Sequence, residues 1–408
     1  MSPSPEPRAY PRILGRHEGG RPGPRIVVFG GVHGNEPAGC EAMLRVFARI
    51  TRERLPLRGQ LWGLAGNLRA LAAGRRYLDR DLNRRWIRED IARIVNTGPE
   101  AAIEDNEQLE LLEILAPMLS DAHEPIVFFD LHSTSGPAAP FTCMADVLRN
   151  RDIALALPIP VVLGLEEVLD GSLLGYLVDL GHIGVAVEGG QHTDPTTIDS
   201  HESAVWIMLV AAGALDPEHL PDLALRRDRL ARLARGIPPV SEIRHRHVVR
   251  PIDEPFVMQP GFENFQKITR GQTVAQDAHG PIAAPIGGMM MLPRYQGLGD
   301  DGFFVAKPVS RLALGASAAL RHLRLDRLVP LLPGIRRHPI HHDQYIADPS
   351  VARSRVVDIF HLFGYRHIRT VGPDLVFARR APSVDSLRQP PAEVRAMATR
   401  GHGRRREG

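Results

Sequence analysis

Apolar residues alternate between two rhythms from residue 25 to about 215. Short, β-branched-rich runs read as strands: "RIVVFGG" (25–31), "GQLWGLAGN" (59–67), "PIVFFDLHST" (125–134), "IPVVLGL" (159–165) and "GHIGVAVEGG" (181–190). Between them, "PAGCEAMLRVFARI" (37–50), "NEQLELLEILAPML" (106–119) and "TTIDSHESAVWIMLVAAGAL" (196–215) carry apolar residues three or four apart, the spacing of a helical face. Pro37 stands in a first helical turn, where its missing N–H removes no intrahelical bond. This alternation predicts an α/β domain over 25–235: a mostly parallel mixed sheet flanked by helices.

The texture changes near residue 240. A helix is expected in "LPDLALRRDRLARLARGIPP" (220–239), stopped by its glycine and prolines. Beyond it, "GFENFQKITRGQTVAQDAHGPIAAPIGGMMMLPRYQGLGDDGFFV" (261–305) mixes glycine, proline and short apolar runs. It predicts a small all-β domain over 240–315, covering whatever cleft the first domain offers. Residues 316–392 read as an appended α+β unit, a helix followed by a hairpin turning at "VGPD" (371–374). Residues 1–24 read as a flexible lead-in with no signal-peptide core, and 393–408 as a basic disordered tail.

Composition narrows the classes of function. Hydrophobic residues make up 43% and charged residues 24% of the 408 positions, ordinary for a globular chain with more than one domain. The formal net charge is only +3 and basic residues are interleaved with acidic ones, so neither nucleic acid nor a membrane surface is an expected partner. Two cysteines, Cys40 and Cys143, make no metal cluster and suit a reducing cytoplasm. No apolar run is long enough to span a bilayer.

Candidate chemistry sits at the strand ends. In "GGVHGNEPAG" (30–39), His33 and Glu36 follow a strand and precede a helix, at the sheet edge where α/β folds bind ligands. Alone, His-x-x-Glu is a weak pattern in a chain with 18 histidines. "FFDLHST" adds Asp130 and His132, two residues apart and therefore on one strand face. Two imidazoles and one carboxylate with an open fourth position form a catalytic zinc set; Asp130 would orient a ligand imidazole through its other ring nitrogen. "GVAVEGG" puts Glu188 at a third strand end, placed to take a proton from a metal-bound water and return it to a leaving amine. Each could instead be a capping or solvated residue; three such sites at three strand ends argue against coincidence. The loop "GNLRALAAGRRYLDRDLNRRW" (66–86) is dense in Arg, Asp and Asn, residues that bind carboxylates or stabilise an oxyanion, or else merely pair with each other in solvent.

In order and spacing, "GGVHGNE", "NLRAL…RRYLDRDLNR", "DLHST" and "VEGGQH" resemble the succinylglutamate desuccinylase/aspartoacylase family of zinc hydrolases, related to the metallocarboxypeptidases. The resemblance runs over roughly residues 25–310. It implies a zinc-carboxypeptidase-like fold and one Zn2+ per subunit held by His33, Glu36 and His132. Glu188 would be the general base, Arg76 the residue polarising the scissile carbonyl, and Asn83 with Arg84 the pair gripping a substrate carboxylate. It implies hydrolysis of the amide of a small N-acylated amino acid or amine, and leaves self-association open. Tyr295, in the second domain's "RYQG", receives no role. Two other readings are a metallocarboxypeptidase acting on short peptides and a non-catalytic zinc-bearing binding protein.

Overall fold

The structure is a computed structural model that describes residues 9–100, 102–341, 344–351, 356–380, 387 and 389–404. Its strands are β1 (Ile13–Glu18), β2 (Arg25–Gly30), β3 (Gln60–Ala65), β4 (Val127–Thr134), β5 (Phe141–Met144), β6 (Val161–Leu163), β7 (Ile183–Gln191), β8 (Val240–Val248), β9 (Val257–Met258), β10 (Lys267–Ile268), β11 (Thr273–Asp277), β12 (Gly280–Ala283), β13 (Gly288–Met291), β14 (Asp301–Pro308), β15 (Ile335–Arg337), β16 (Tyr345–Ala347), β17 (His367–Val371) and β18 (Asp374–Ala378).

Eleven of these form one sheet in the order β1-β3-β2-β4-β7-β5-β6-β8-β14-β13-β10. The pairs β3–β2, β2–β4 and β4–β7 are parallel, as are β5–β6 and β6–β8. The strand runs are apolar at nearly every position because both sheet faces are covered. Along β2, Val27 and Phe29 enter one core while Ile26 and Val28 enter the other. The first core is closed by the helix Ile103–Ser120 through Leu111, Leu112 and Leu115. The second is closed by the helices Ala38–Glu53 and Thr196–Ala211 through Met43, Val46, Ile50 and Trp206. Each such side chain contributes about 1.5–3 kcal/mol on burial. The α/β class, with its largely parallel mixed sheet, is as the periodicity predicts.

Three boundaries differ from the sequence expectation. Within the expected lead-in 1–24, β1 pairs antiparallel with β3 and buries Leu14. Its "ILGRHE" is too short and polar to stand out beside proline and arginine. The main sheet does not stop at residue 240: β8 lies parallel to β6, and β14, β13 and β10 extend the same sheet. Within 240–315, β12-β11-β9 form a separate small sheet, around Val274, Met290 and Phe303. In the expected disordered tail, Ala392–Arg404 is a helix whose Val394, Met397 and Ala398 join the first core. Those three positions follow helical spacing, masked in the sequence by basic residues; 405–408 lie outside the described residues.

A third sheet, β15-β16-β18-β17, belongs to the C-terminal unit. Buried charges dock that unit. Asp146 accepts from Arg151 Nη2 at 2.7 Å, Arg321 Nη1 at 3.0 Å and Arg366 Nε at 2.6 Å. Arg366 also donates to Glu242, whose Oε2 faces His361 Nδ1 at 3.2 Å. Two further contacts fix the short helix Leu165–Val168: His367 Nδ1 to Glu167 O at 2.8 Å and Arg380 Nη2 to Glu166 O at 3.3 Å. No helix among the described residues is long and apolar enough to cross a membrane.

Candidate active site

The site lies at one edge of the parallel strands, on the turn after β2 and on the carboxyl-terminal halves of β4 and β7. After β2 the chain turns through His33 and Glu36 before the helix Ala38–Glu53, and Glu36 N donates to His33 O at 3.1 Å. The turn runs tight against the helix Leu68–Ala73: a Cβ on Gly34 would lie 2.1 Å from the carbonyl carbon of Ala70. Only glycine permits that approach. In β4, Asp130 and His132 point the same way, and His132 stands in register with Glu188 of β7.

These strand ends bring the predicted donors together. His33, Glu36 and His132 are buried, with ligand atoms within 4.8 Å of one another. The Glu36 carboxylate lies between the rings: Oε1 faces His33 Nδ1 at 3.0 Å, and Oε2 faces His132 Nδ1 at 3.0 Å. Each far nitrogen meets another carboxylate, His33 Nε2 at Asp81 Oδ1 (3.2 Å) and His132 Nε2 at Asp130 Oδ2 (2.9 Å). If both Nε2–H groups are directed at those acceptors, a neutral ring turns its Nδ1 lone pair toward the Glu36 carboxylate, so a ring proton or a cation has to lie between them. Such an arrangement demands positive charge at its centre. Burial opposes the ionised form of His132, yet Asp130 and Glu36 push that imidazole well above its ordinary range. Burial likewise resists ionisation of Glu36, but the charge of His33 and the hydrogen bonds from both rings hold its carboxyl well below the usual range. Two imidazoles and a carboxylate, oriented by outer carboxylates, match the donor chemistry of a catalytic divalent cation such as zinc.

Glu188 lines the same cavity, and its Oε2 has no hydrogen-bonding partner among the described residues. Burial pushes this carboxyl up to about 8; Glu36 and Asp130 add to the shift, while His132 and Arg76 oppose it. Arg76 also lines the cavity, whereas its neighbour Arg75 is exposed. The Arg76 guanidinium donates to Asp81 Oδ2 through Nε at 3.1 Å and Nη2 at 3.0 Å. Asn83 and Arg84 line the cavity too. Asn83 Oδ1 accepts from Leu173 N at 2.9 Å, which directs its amide nitrogen to the remaining side.

Several residues that line or brace the cavity have no signal of their own in the sequence. Asp81 fixes both His33 and Arg76, and it lay in the Arg/Asp-rich loop already singled out. Glu104 holds that loop, accepting the backbone N–H groups of Leu78, Asp79 and Arg80 at 2.7–3.1 Å. Arg294 and Gln296, either side of Tyr295, line the cavity, as do Glu166, His192 and Asp301. Tyr295 itself does not line it: its hydroxyl accepts from Phe262 N at 2.8 Å and donates to Gln259 O at 2.9 Å, pinning a loop of the β module.

Residues 22–207 match the domain family described as the Succinylglutamate desuccinylase/Aspartoacylase catalytic domain. A "Probable aspartoacylase" from Parasynechococcus marenigrum is 35% identical over 171 residues, which is 40% of this chain and 52% of that protein. A "Succinylglutamate desuccinylase" from Burkholderia pseudomallei is 48% identical over 59 residues, 14% of this chain and 17% of that protein. The chain thus spans about half the length of the probable aspartoacylase and less of the desuccinylase. Among solved structures, the succinylglutamatedesuccinylase/aspartoacylase from Rhodobacter sphaeroides shares the fold, with a TM-score of 0.52 and 18% identity over 72% of this chain and 88% of that one.

Proposed function

We propose, from the match of residues 22–207 to the succinylglutamate desuccinylase/aspartoacylase catalytic-domain family, that this chain is a zinc-dependent amidohydrolase releasing the acyl group from a small N-acylated amino acid or amine. The observation that carries this reading is the Glu36 carboxylate between two Nδ1 atoms whose rings are anchored from behind by Asp81 and Asp130, beside the unpartnered oxygen of Glu188. His33, Glu36 and His132 would hold one Zn2+, which when bound supplies Lewis acidity to a carbonyl and acidifies a water.

Glu188 takes the proton of the attacking water and passes it to the departing nitrogen; a carboxyl shifted toward neutrality can do both. Arg76 offers guanidinium donors to the oxyanion, held in place by Asp81. Asn83 and Arg84 take a substrate carboxylate, so that one carbonyl is presented to Glu188. The β module contributes Leu292, Arg294, Gln296 and Phe304 to the cavity wall, which favours small substrates over polypeptides.

The test is Glu188→Gln in the zinc-loaded protein, assayed on N-acyl amino acids and on dipeptides. Zinc content should stay at one per chain while turnover falls about 10²–10⁴-fold. Near-wild-type turnover would remove Glu188 from the reaction. Preferential cleavage of dipeptides would favour a carboxypeptidase, and zinc binding without hydrolysis of anything on the panel would favour a binding protein.

A further inference from the structure

Among the described residues three arginines line the cavity, and each already faces a carboxylate. Arg76 is held by Asp81. Arg294 Nη2 donates to Glu254 Oε1 at 3.0 Å, and its Nη1 donates to Gly299 O at 2.6 Å. Arg84 Nη2 donates to Asp301 Oδ2 at 2.9 Å, while its Nη1 donates to Asn83 O. Asp301 differs from the other two acceptors because it is shared by two guanidiniums. Its Oδ1 takes Arg246 Nε at 2.7 Å, and Arg246 is anchored in turn on Val168 O. Two cations on one anion leave a single positive charge in surplus, located at Arg84.

Among the described residues, the helix Leu165–Val168 beside Arg246 presents a carboxylate to the cavity rather than another cation. Glu166 is buried there, its Oε2 accepting from Ser172 Oγ at 2.7 Å, and it lines the cavity as another carboxylate. Leu165, Leu169, Leu292 and Leu298 add apolar lining. We propose that Asp301 is a specificity-determining residue that restricts the substrate to amides bearing one carboxylate and an otherwise apolar body. This inference rests on the reading of Arg84 as the carboxylate-binding arginine. One carboxylate at Arg84 neutralises the surplus. A second would be stripped of water beside Glu166 and Asp301 with no free cation to meet it, and an unpaired buried charge is strongly disfavoured.

The experiment compares wild type, Asp301→Asn and Arg246→Gln, each zinc-loaded, on acetyl and butyryl amides of leucine and of glutamate. Wild type should favour the leucine amides by tenfold or more in kcat/KM. Asp301→Asn should raise kcat/KM for the glutamate amides about tenfold through KM, with kcat little changed. Arg246→Gln removes the surplus charge and should raise KM for both series about tenfold. Thermal unfolding checks that each variant is folded; should Asp301→Asn fail to fold, the opposite-signed effect of Arg246→Gln decides the matter. An unchanged leucine-to-glutamate ratio in folded Asp301→Asn, or unchanged KM in Arg246→Gln, overturns the proposal. If wild type hydrolyses none of these amides, the amidohydrolase reading fails separately. Calorimetric titration of leucine and glutamate into wild type and Asp301→Asn then tests the charge argument alone: equal relative affinities in both proteins defeat it.

Discussion

His33 has two functions in this arrangement, offering Nδ1 to the centre of the site and holding Asp81 through Nε2. His33→Ala should therefore abolish stoichiometric zinc, measured by metal analysis after dialysis; unchanged zinc content would refute the ligand assignment. Asp81→Ala keeps all three proposed ligands but frees one ring. It should weaken zinc affinity roughly 10–100-fold in a chelator competition, with activity reduced further because Arg76 also loses its anchor. Burial raises the cost of ionising Asp81, but the Arg76 and His33 charges keep its carboxyl well below the usual range, so it stays an acceptor at neutral pH. The sequence singles out His33, Glu36, His132 and Glu188 because each lies at or just past the carboxyl-terminal part of an apolar strand, and parallel strands share that edge. Asp81 was not legible in its role. It reaches His33 across 48 positions only because its loop is folded back, and no periodicity in "RRYLDRDLNR" specifies that path.

The loop's path is set by another element. The helix Ile103–Ser120 buries Glu104, Asp105, Glu107 and Gln108, polar positions that in sequence resemble a solvated face. Glu104 collects three backbone N–H groups of the loop, and Glu107 accepts the N–H groups of Leu68 and Arg69 at 3.1 Å. The apolar stripe of this helix predicted its existence, but its buried polar side carries information that amphipathicity misassigns. The turn at Gly34 is just as constrained. Gly34→Ala forces the helix Leu68–Ala73 away from the turn and should destabilise the chain by roughly 1–3 kcal/mol, lowering zinc occupancy as well. Thermal unfolding together with metal analysis checks this; a stable, fully loaded Gly34→Ala protein would show that the contact has room to give.

Across the whole molecule, the division into domains was the least legible feature, because strand pairing between distant segments leaves no trace in local composition. The charge cluster at the C-terminal unit makes a pH prediction. Burial opposes ionisation of Asp146 and Glu242, but the guanidiniums of Arg366, Arg321 and Arg151 hold Asp146 far below the usual range. The hydrogen bond with His361 and the charge of Arg366 bring Glu242 to about 2. Groups with depressed folded-state values stabilise the fold above their unfolded values, near pH 4, and lose that contribution as pH falls through the folded values. The unfolding midpoint should therefore be insensitive to these two groups at neutral pH and drop steeply below about pH 4, and Glu242→Gln should flatten that drop. A midpoint unaffected between pH 6 and 3 would contradict the docking role.

The grip of His367 and Arg380 on the carbonyls of Glu167 and Glu166 has a consequence of its own. Among the described residues none after Phe304 lines the cavity, yet the short helix bearing Leu165 and Glu166 is braced from the C-terminal unit. Sequence drift in that terminal brace can therefore retune which substrates are admitted while every side chain that touches them stays the same.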